Sequence, residues 1–291
     1  MLAQYIAKHK TPFEAYLLEL IQNESIPDQL KESMIYSLSV GGKRLRPILL
    51  FAVLETLGLD PKKGYQTASA LEMIHTYSLI HDDLPAMDDD ELRRGKPTNH
   101  IVFGEATAIL AGDSLLTHAF EVMSRDQELT PHQRLTLTGM LAQAAGPSGM
   151  VAGQMLDMAA ENTTITLEQL KEIHANKTGR LLEFSVVAGA IIAEASGEVV
   201  ELLRQFSKHI GLAFQIKDDI LDVEGDCELI GKKVGSDLEN GKSTYVSLTS
   251  LEMAKQMLED EIKQALEILD RLSNDTSLLA AIANYIKERQ A

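Results

Sequence analysis

Apolar residues recur three and four positions apart through most of the chain, and stretches in which apolar and polar residues alternate with a period of two are absent. That spacing collects apolar side chains on one face of an α-helix. Leu258, Ile262, Leu266, Leu269 and Leu272 form one such stripe, and Leu278, Ile282 and Ile286 form another. The run Val186-Val187-Ala-Gly-Ala-Ile-Ile has strand-like composition but sits inside the same helical rhythm. Pro27-Asp28-Gln29 opens a segment that Gly41-Gly42 closes, and Thr166-Leu-Glu-Gln169 has the form of a capping box at the head of a long helix. The pattern predicts an all-α protein of about ten or more helices, arranged as a large bundle whose core positions on facing helices can host a metal site. Pro-, Gly- or Ser-rich tracts, low-complexity segments and repeats are missing, so residues 1–291 are expected to form a single domain.

Two segments break the amphipathic pattern. Asp82-Asp83-Leu84-Pro85-Ala86-Met87-Asp88 follows Leu71, Met73, Ile74, Leu79 and Ile80, and Asp218-Asp219-Ile220-Leu221-Asp222 follows Ile210, Leu212, Phe214 and Ile216. Carboxylates placed in or beside apolar sequence need a counter-charge, because desolvation and mutual repulsion otherwise neutralise them. Hard divalent cations with oxygen ligands are the usual remedy, so both clusters point to Mg²⁺. Asp218 and Asp222, spaced i and i+4, share a helix face. Pro85 interrupts the helix of the first cluster, which lets Asp82 and Asp88 converge although six residues apart.

Charge sharpens this picture. The 27 Lys and Arg against 43 Asp and Glu leave a net charge of −16, which disfavours a nucleic-acid partner and repels any anionic substrate outside a local basic site. Two basic clusters flank the first acidic one: Gly41-Gly42-Lys43-Arg44-Leu45-Arg46, and Arg93-Arg94-Gly95. Mg²⁺ usually bridges a few carboxylates to substrate phosphates, and arginine forks bind the remaining oxygens, so the combination suggests a diphosphate substrate. Bland alternatives stand beside these. Arg93 and Arg94 also suit surface charges neutralising Asp88 to Asp90, Arg44 suits a structural role, and His75 and His81 suit structural histidines. Cys227 is the single cysteine, which rules out an intrachain disulfide and suits a reducing cytoplasm. Residues 1–10 lack the apolar core of a signal peptide, and no apolar run approaches the ~20 residues that span a bilayer, so stable membrane insertion is not expected.

The stretch from Glu72 to Asp88 with Arg93-Arg94-Gly95 resembles the first aspartate-rich motif of the trans-isoprenyl diphosphate synthases, and Asp218-Asp219-Ile-Leu-Asp222 resembles the second. Gly41-Gly42-Lys43-Arg44-Leu-Arg46-Pro47, Gly153-Gln154-Met-Leu-Asp157, Lys177-Thr178-Gly179, Phe214-Gln215 and Gly241-Lys242-Ser243-Thr244 match further blocks of that family in the same order. Pro85 and Ala86, the two extra residues inside the first motif, are similar to those of its bacterial farnesyl diphosphate synthase subgroup.

The resemblance implies a head-to-tail condensation of dimethylallyl or geranyl diphosphate with isopentenyl diphosphate, giving farnesyl diphosphate. It implies three Mg²⁺ ions with substrate bound, Mn²⁺ as a substitute, and a homodimer. Asp82, Asp88 and Asp218 are expected to hold the metal, with Asp83 and Asp222 as further ligands or supports. Arg93, Lys177, Thr178, Gln215, Lys232 and Lys242 are expected around the allylic diphosphate. Lys43, Arg46, His75 and Arg94 are expected to bind isopentenyl diphosphate. Tyr77 and Ser78 lie five and four positions before Asp82, roughly 6–8 Å along the helix from the metal end, so the Tyr77 ring is expected to floor the tail pocket at fifteen carbons. Glu224 to Lys242, rich in glycine, lysine and acidic residues, is the candidate for a mobile flap.

Two other classes share single features with the chain. A metal-dependent phosphohydrolase would use His81-Asp82 with His75, but leaves the second aspartate motif idle. A non-catalytic partner subunit usually lacks one of the two aspartate motifs. A terpene cyclase is disfavoured by an aromatic content of 5% with no Trp.

Overall fold

The computed structural model describes residues 2–225 and 242–290, and the described residues hold fourteen α-helices. Lys232, Cys227 and most of the expected flap lie outside the described residues. Contacts group the chain into two compact units, Met1–Phe51 with Asp60–Thr138, and Ala52–Leu59 with Gly139–Ala291.

The first unit contains α1 (Leu2–Gln22), α2 (Asp28–Ser39), α4 (Tyr65–Asp82), α5 (Asn99–Phe103) and α6 (Glu105–Ser124), while α3 (Leu45–Thr56) and α7 (Pro131–Ala145) contribute to both units. Helix α4 carries small or apolar residues on every side, and Thr67 to Ile74, Thr76, Tyr77 and Ile80 are all buried. A helix without a polar face belongs at the centre of its unit. Its main neighbour is α6, approached through Gly112, where an added Cβ would run into the His81 ring. Phe13, Phe51 and Tyr65 pack around the start of α4 with ring centroids 5.1–5.8 Å apart. The two edge-on pairs, Phe13 with Phe51 and Phe13 with Tyr65, add to what area burial alone supplies.

One hairpin departs from the helical expectation. Leu92–Arg93 pairs antiparallel with Lys96–Pro97, and the two connecting residues, Arg94 and Gly95, both have positive φ, +54° and +73°. That is the geometry of a type I′ turn, normally signalled by Asn-Gly, and an Arg-Gly pair conceals it in the sequence.

The second unit contains α8 (Met150–Ala160), α9 (Leu167–His174), α10 (Arg180–Ile192), α11 (Gly197–Glu224), α12 (Tyr245–Leu248), α13 (Leu251–Leu269) and α14 (Ser277–Glu288). The capping box at the head of α9 is present: Gln169 N–H donates to Thr166 Oγ1 at 3.3 Å and Thr166 N–H donates to Gln169 Oε1 at 2.8 Å. The stripe of α13 buries Leu258, Ile262 and Leu269 as expected, with Ala265 and Ile268 completing it and Leu266 at its margin. On α14 the buried set is Leu279, Ile282, Ala283 and Ile286, so Leu279 takes the core position assigned to Leu278. Each buried Leu or Ile among them stabilises the fold by about 1.5–3 kcal/mol relative to exposure. Between α9 and α10 the chain makes one π-helical turn, Ala175–Gly179, which the apolar periodicity does not announce. No helix among the described residues is long and apolar enough to cross a membrane.

Candidate active site

The first aspartate motif begins where α4 ends. Asp83 N–H donates to Leu79 O at 3.1 Å, and then Pro85 and Ala86 loop outward. The loop folds back so that Asp88 N–H donates to Asp82 O at 2.9 Å, which brings the two residues together despite the insertion. Asp82 is half-buried and Asp88 exposed. Asp83 is different: it is 3% exposed, and the Arg93 guanidinium grips it, Nε at 2.7 and 3.0 Å from the two oxygens and Nη2 at 2.5 Å from Oδ1. Burial raises the Asp83 carboxyl above its ordinary range, against the pull of the guanidinium. Of the three first-motif carboxylates, Asp83 is thus turned inward onto Arg93, and the expected metal ligand and the expected diphosphate ligand satisfy each other.

The two basic clusters meet in this unit. Arg44, with φ +50° and 7% exposed, donates to Glu14 at 3.0 Å, Glu72 at 2.8 Å and the Leu38 carbonyl at 2.5 Å, so its role is structural as expected. Arg94 donates to the Gly41 carbonyl and is ion-paired to no carboxylate among the described residues. Gly42 has φ +137°, and a Cβ there would meet the Arg94 guanidinium. The Gly-Gly loop therefore serves two needs, left-handed backbone and close approach to Arg94. His75, one turn before Leu79, has its pKa held well below the ordinary value, first by burial and then by Arg46, Arg94, Arg44 and Arg93 around it. It is a neutral imidazole among four guanidiniums, and carboxylates hold Arg44 and Arg93.

Tyr77 is 6% exposed and lies edge-on to His81, with ring centroids 5.7 Å apart. Burial and the nearby Asp82 push its hydroxyl up to about 12. Ser78 donates to the His75 carbonyl at 2.8 Å, a bond within its own helix. His81 Nε2 lies 3.1 Å from the Ile109 carbonyl, so it docks α4 on α6.

In the second unit α11 carries Gln215, Asp218, Asp219 and Asp222. Asp219 is 5% exposed and accepts the Tyr245 N–H at 2.7 Å, and Asp222 is 4% exposed. Asp218 retains 42% side-chain exposure, yet its Oδ1 accepts from Arg289 Nη2 at 2.5 Å. Arg289 follows the last helix and was invisible as a site residue, because a charged residue at a helix end looks like ordinary surface. Lys177 stands on the π-turn and donates to Asp157 at 2.6 Å. Gly153 on α8 makes this possible: a Cβ there would run into the Lys177 backbone, so the turn rests directly on α8. Single π-turns inside helices are frequent at functional sites. Thr178, on the same turn, and Gln215 and Lys242 are partly buried.

Residues 27–286 match the family model described as polyprenyl synthetase, and the chain belongs to that family. It is 53% identical over 290 residues to the farnesyl diphosphate synthase of Bacillus subtilis, an alignment covering 99% of this chain and 98% of that protein. The farnesyl diphosphate synthase of Geobacillus stearothermophilus is 51% identical over 288 residues, covering 98% and 97%. Among solved structures, the geranylgeranyl pyrophosphate synthetase of Pyrococcus horikoshii superposes with a TM-score of 0.90 at 32% identity, covering 99% of this chain and 98% of that one. The all-α fold is thus that of the isoprenyl synthases.

Proposed function

We propose that the chain is a farnesyl diphosphate synthase, a prenyltransferase that joins isopentenyl diphosphate head-to-tail to dimethylallyl and then geranyl diphosphate. The observation that carries this is the full-length likeness to such synthases in a chain that keeps both aspartate motifs. The donor set suits Mg²⁺ in its chemistry, since all candidate ligands are carboxylate oxygens; among the described residues no three His, Cys, Asp or Glu side chains are grouped so as to hold a metal ion by themselves. Mg²⁺ characteristically takes one or two carboxylates and completes its shell with water and substrate phosphate. Asp82, Asp88 and Asp218, with Asp83 and Asp222 in support, would hold Mg²⁺ (three ions with substrate bound, Mn²⁺ substituting), which when bound would supply charge neutralisation to the leaving diphosphate.

The chain's own residues do the rest. Lys43, Arg46 and Arg94 bind the diphosphate of isopentenyl diphosphate, and neutral His75 adds a hydrogen-bond donor without adding positive charge. Arg93 spends Nε and Nη2 on Asp83, which leaves Nη1 for the allylic diphosphate, joined by Lys177, Lys232 and Lys242. Cleavage of the allylic C–O bond sends its electron pair to the diphosphate and leaves an allylic cation. Thr178 and Gln215 present dipoles to that cation. The double bond of isopentenyl diphosphate attacks it, and the departing diphosphate takes the proton that is lost. The whole chain acts as one isoprenoid synthase domain in a cytoplasmic homodimer, for which exposed Ile109 and Leu110 on α6 supply apolar surface.

Incubation with Mg²⁺, isopentenyl diphosphate and geranyl diphosphate should yield farnesyl diphosphate by mass spectrometry. EDTA should abolish turnover, and Asp82→Ala and Asp218→Ala should each lower kcat by about 10²-fold or more with the helical circular-dichroism signal intact. Full activity in either variant ends this account of the site.

A further inference from the structure

In each aspartate motif an arginine among the described residues holds a carboxylate, Arg93 that of Asp83 and Arg289 that of Asp218. The second pair joins residues 71 positions apart. The Arg289 side chain is 4% exposed, and it makes three contacts: Nη2 to Asp218 Oδ1 at 2.5 Å, Nη2 to the Phe214 carbonyl at 2.9 Å, and Cζ 4.1 Å over the Phe214 ring. Nε is buried without a hydrogen-bond partner. Burying a guanidinium this completely is costly unless a charge compensates it, and Asp218 is its sole ion-pair partner among the described residues. Asp218 is also the one carboxylate of its motif that solvent reaches, since Asp219 caps α12 and Asp222 is buried.

We infer that Arg289 is the counter-charge of Asp218 in the second aspartate motif while no metal is bound, and that it yields Asp218 Oδ1 to a divalent cation. This rests on Asp218 being a magnesium ligand. Three carboxylates within five residues repel one another, and a fixed cation beside the outermost one relieves that repulsion in the metal-free protein. The same cation opposes Mg²⁺, through Coulomb repulsion and by occupying Oδ1. Two of the three Arg289 contacts are to Phe214, one turn before Asp218, so loss of the carboxylate leaves the guanidinium its carbonyl acceptor and aromatic face. Arg289 thereby sets the metal affinity of the motif. A residue that merely oriented Asp218 would have the opposite effect when removed.

Isothermal calorimetry of Mg²⁺ on the full chain, with an unreactive thiolo analogue of geranyl diphosphate present, separates these cases. Arg289→Gln should bind Mg²⁺ roughly 3- to 10-fold tighter than the wild type, and Arg289→Lys, which keeps charge but loses the fork, should fall between them. The melting temperature of Arg289→Gln should be lower than wild type in EDTA, and that deficit should close with Mg²⁺ and the analogue. Unchanged or weaker Mg²⁺ binding in both Arg289 variants overturns the inference. Asp218→Asn guards the underlying assignment: if it binds Mg²⁺ as the wild type does, Asp218 is not a ligand. If it loses Mg²⁺ while neither Arg289 variant gains, the Arg289 role alone fails.

Discussion

Asp126 is fully buried, and Oδ1 accepts the Glu128 N–H at 2.9 Å while Oδ2 has no partner among the described residues. Burial pushes its pKa up from 3.8 to about 6, with the Glu128 backbone bond pulling the other way. The folded protein therefore holds a proton there that the unfolded chain releases between about pH 4 and 6. The neutral acid stabilises the fold below that window, and this contribution is lost as pH rises through about 6. Asp126→Asn keeps the acceptor and removes the charge, so at pH 7.5 it should be more stable by about 1–3 kcal/mol, seen as a melting temperature several degrees higher. At pH 4.5 the gain should be mostly gone; the same gain at both pH values would show that ionisation is not its source. Asp126 stands in no sequence motif, and only its burial makes it special. Asp82, Asp88 and Asp218, by contrast, stand out in the sequence, because carboxylates beside an apolar run are anomalous wherever the chain folds.

At the scale of elements, helices and caps follow from local spacing, but two irregular elements do not. The Arg94-Gly95 turn and the π-turn at Ala175–Gly179 each depend on long-range packing: Arg94 reaches the Gly41 carbonyl, and Lys177 rests on Gly153. A π-turn inserts one residue into the 3.6 period, a phase slip that apolar patterning absorbs as noise. Gly153→Ala tests the second packing. The atoms its Cβ meets are backbone and cannot yield cheaply, so the turn should shift and weaken the Lys177–Asp157 pair. A fall in kcat of roughly 10-fold or more is expected, with about 1–3 kcal/mol lost in stability. Gly139→Ala on α7, where an added Cβ meets nothing within 4 Å, is the control and should gain about 0.4–1 kcal/mol with turnover unchanged. Equal kinetics in the two variants would separate Gly153 from the placement of Lys177.

For the whole molecule the outward property is product length, assigned to Tyr77 from its register on α4. Its burial agrees with a wall position, and steric closure rather than attraction is what such a wall supplies. Tyr77→Ala should turn output from fifteen carbons to twenty or more while ionisation of the allylic substrate continues, measured by chromatography of the dephosphorylated products; an unchanged distribution places the floor elsewhere. The sequence by itself determined the helical class, the two aspartate motifs and the basic clusters beside the first, all of them properties of residues within a few turns of one another. Tertiary structure alone decided which charges meet: Arg44 with Glu14 and Glu72, Lys177 with Asp157, and Asp218 with Arg289. The reason is physical. Many similar apolar faces leave helix partners degenerate in the sequence, whereas a buried charge is tolerated only where packing delivers its opposite.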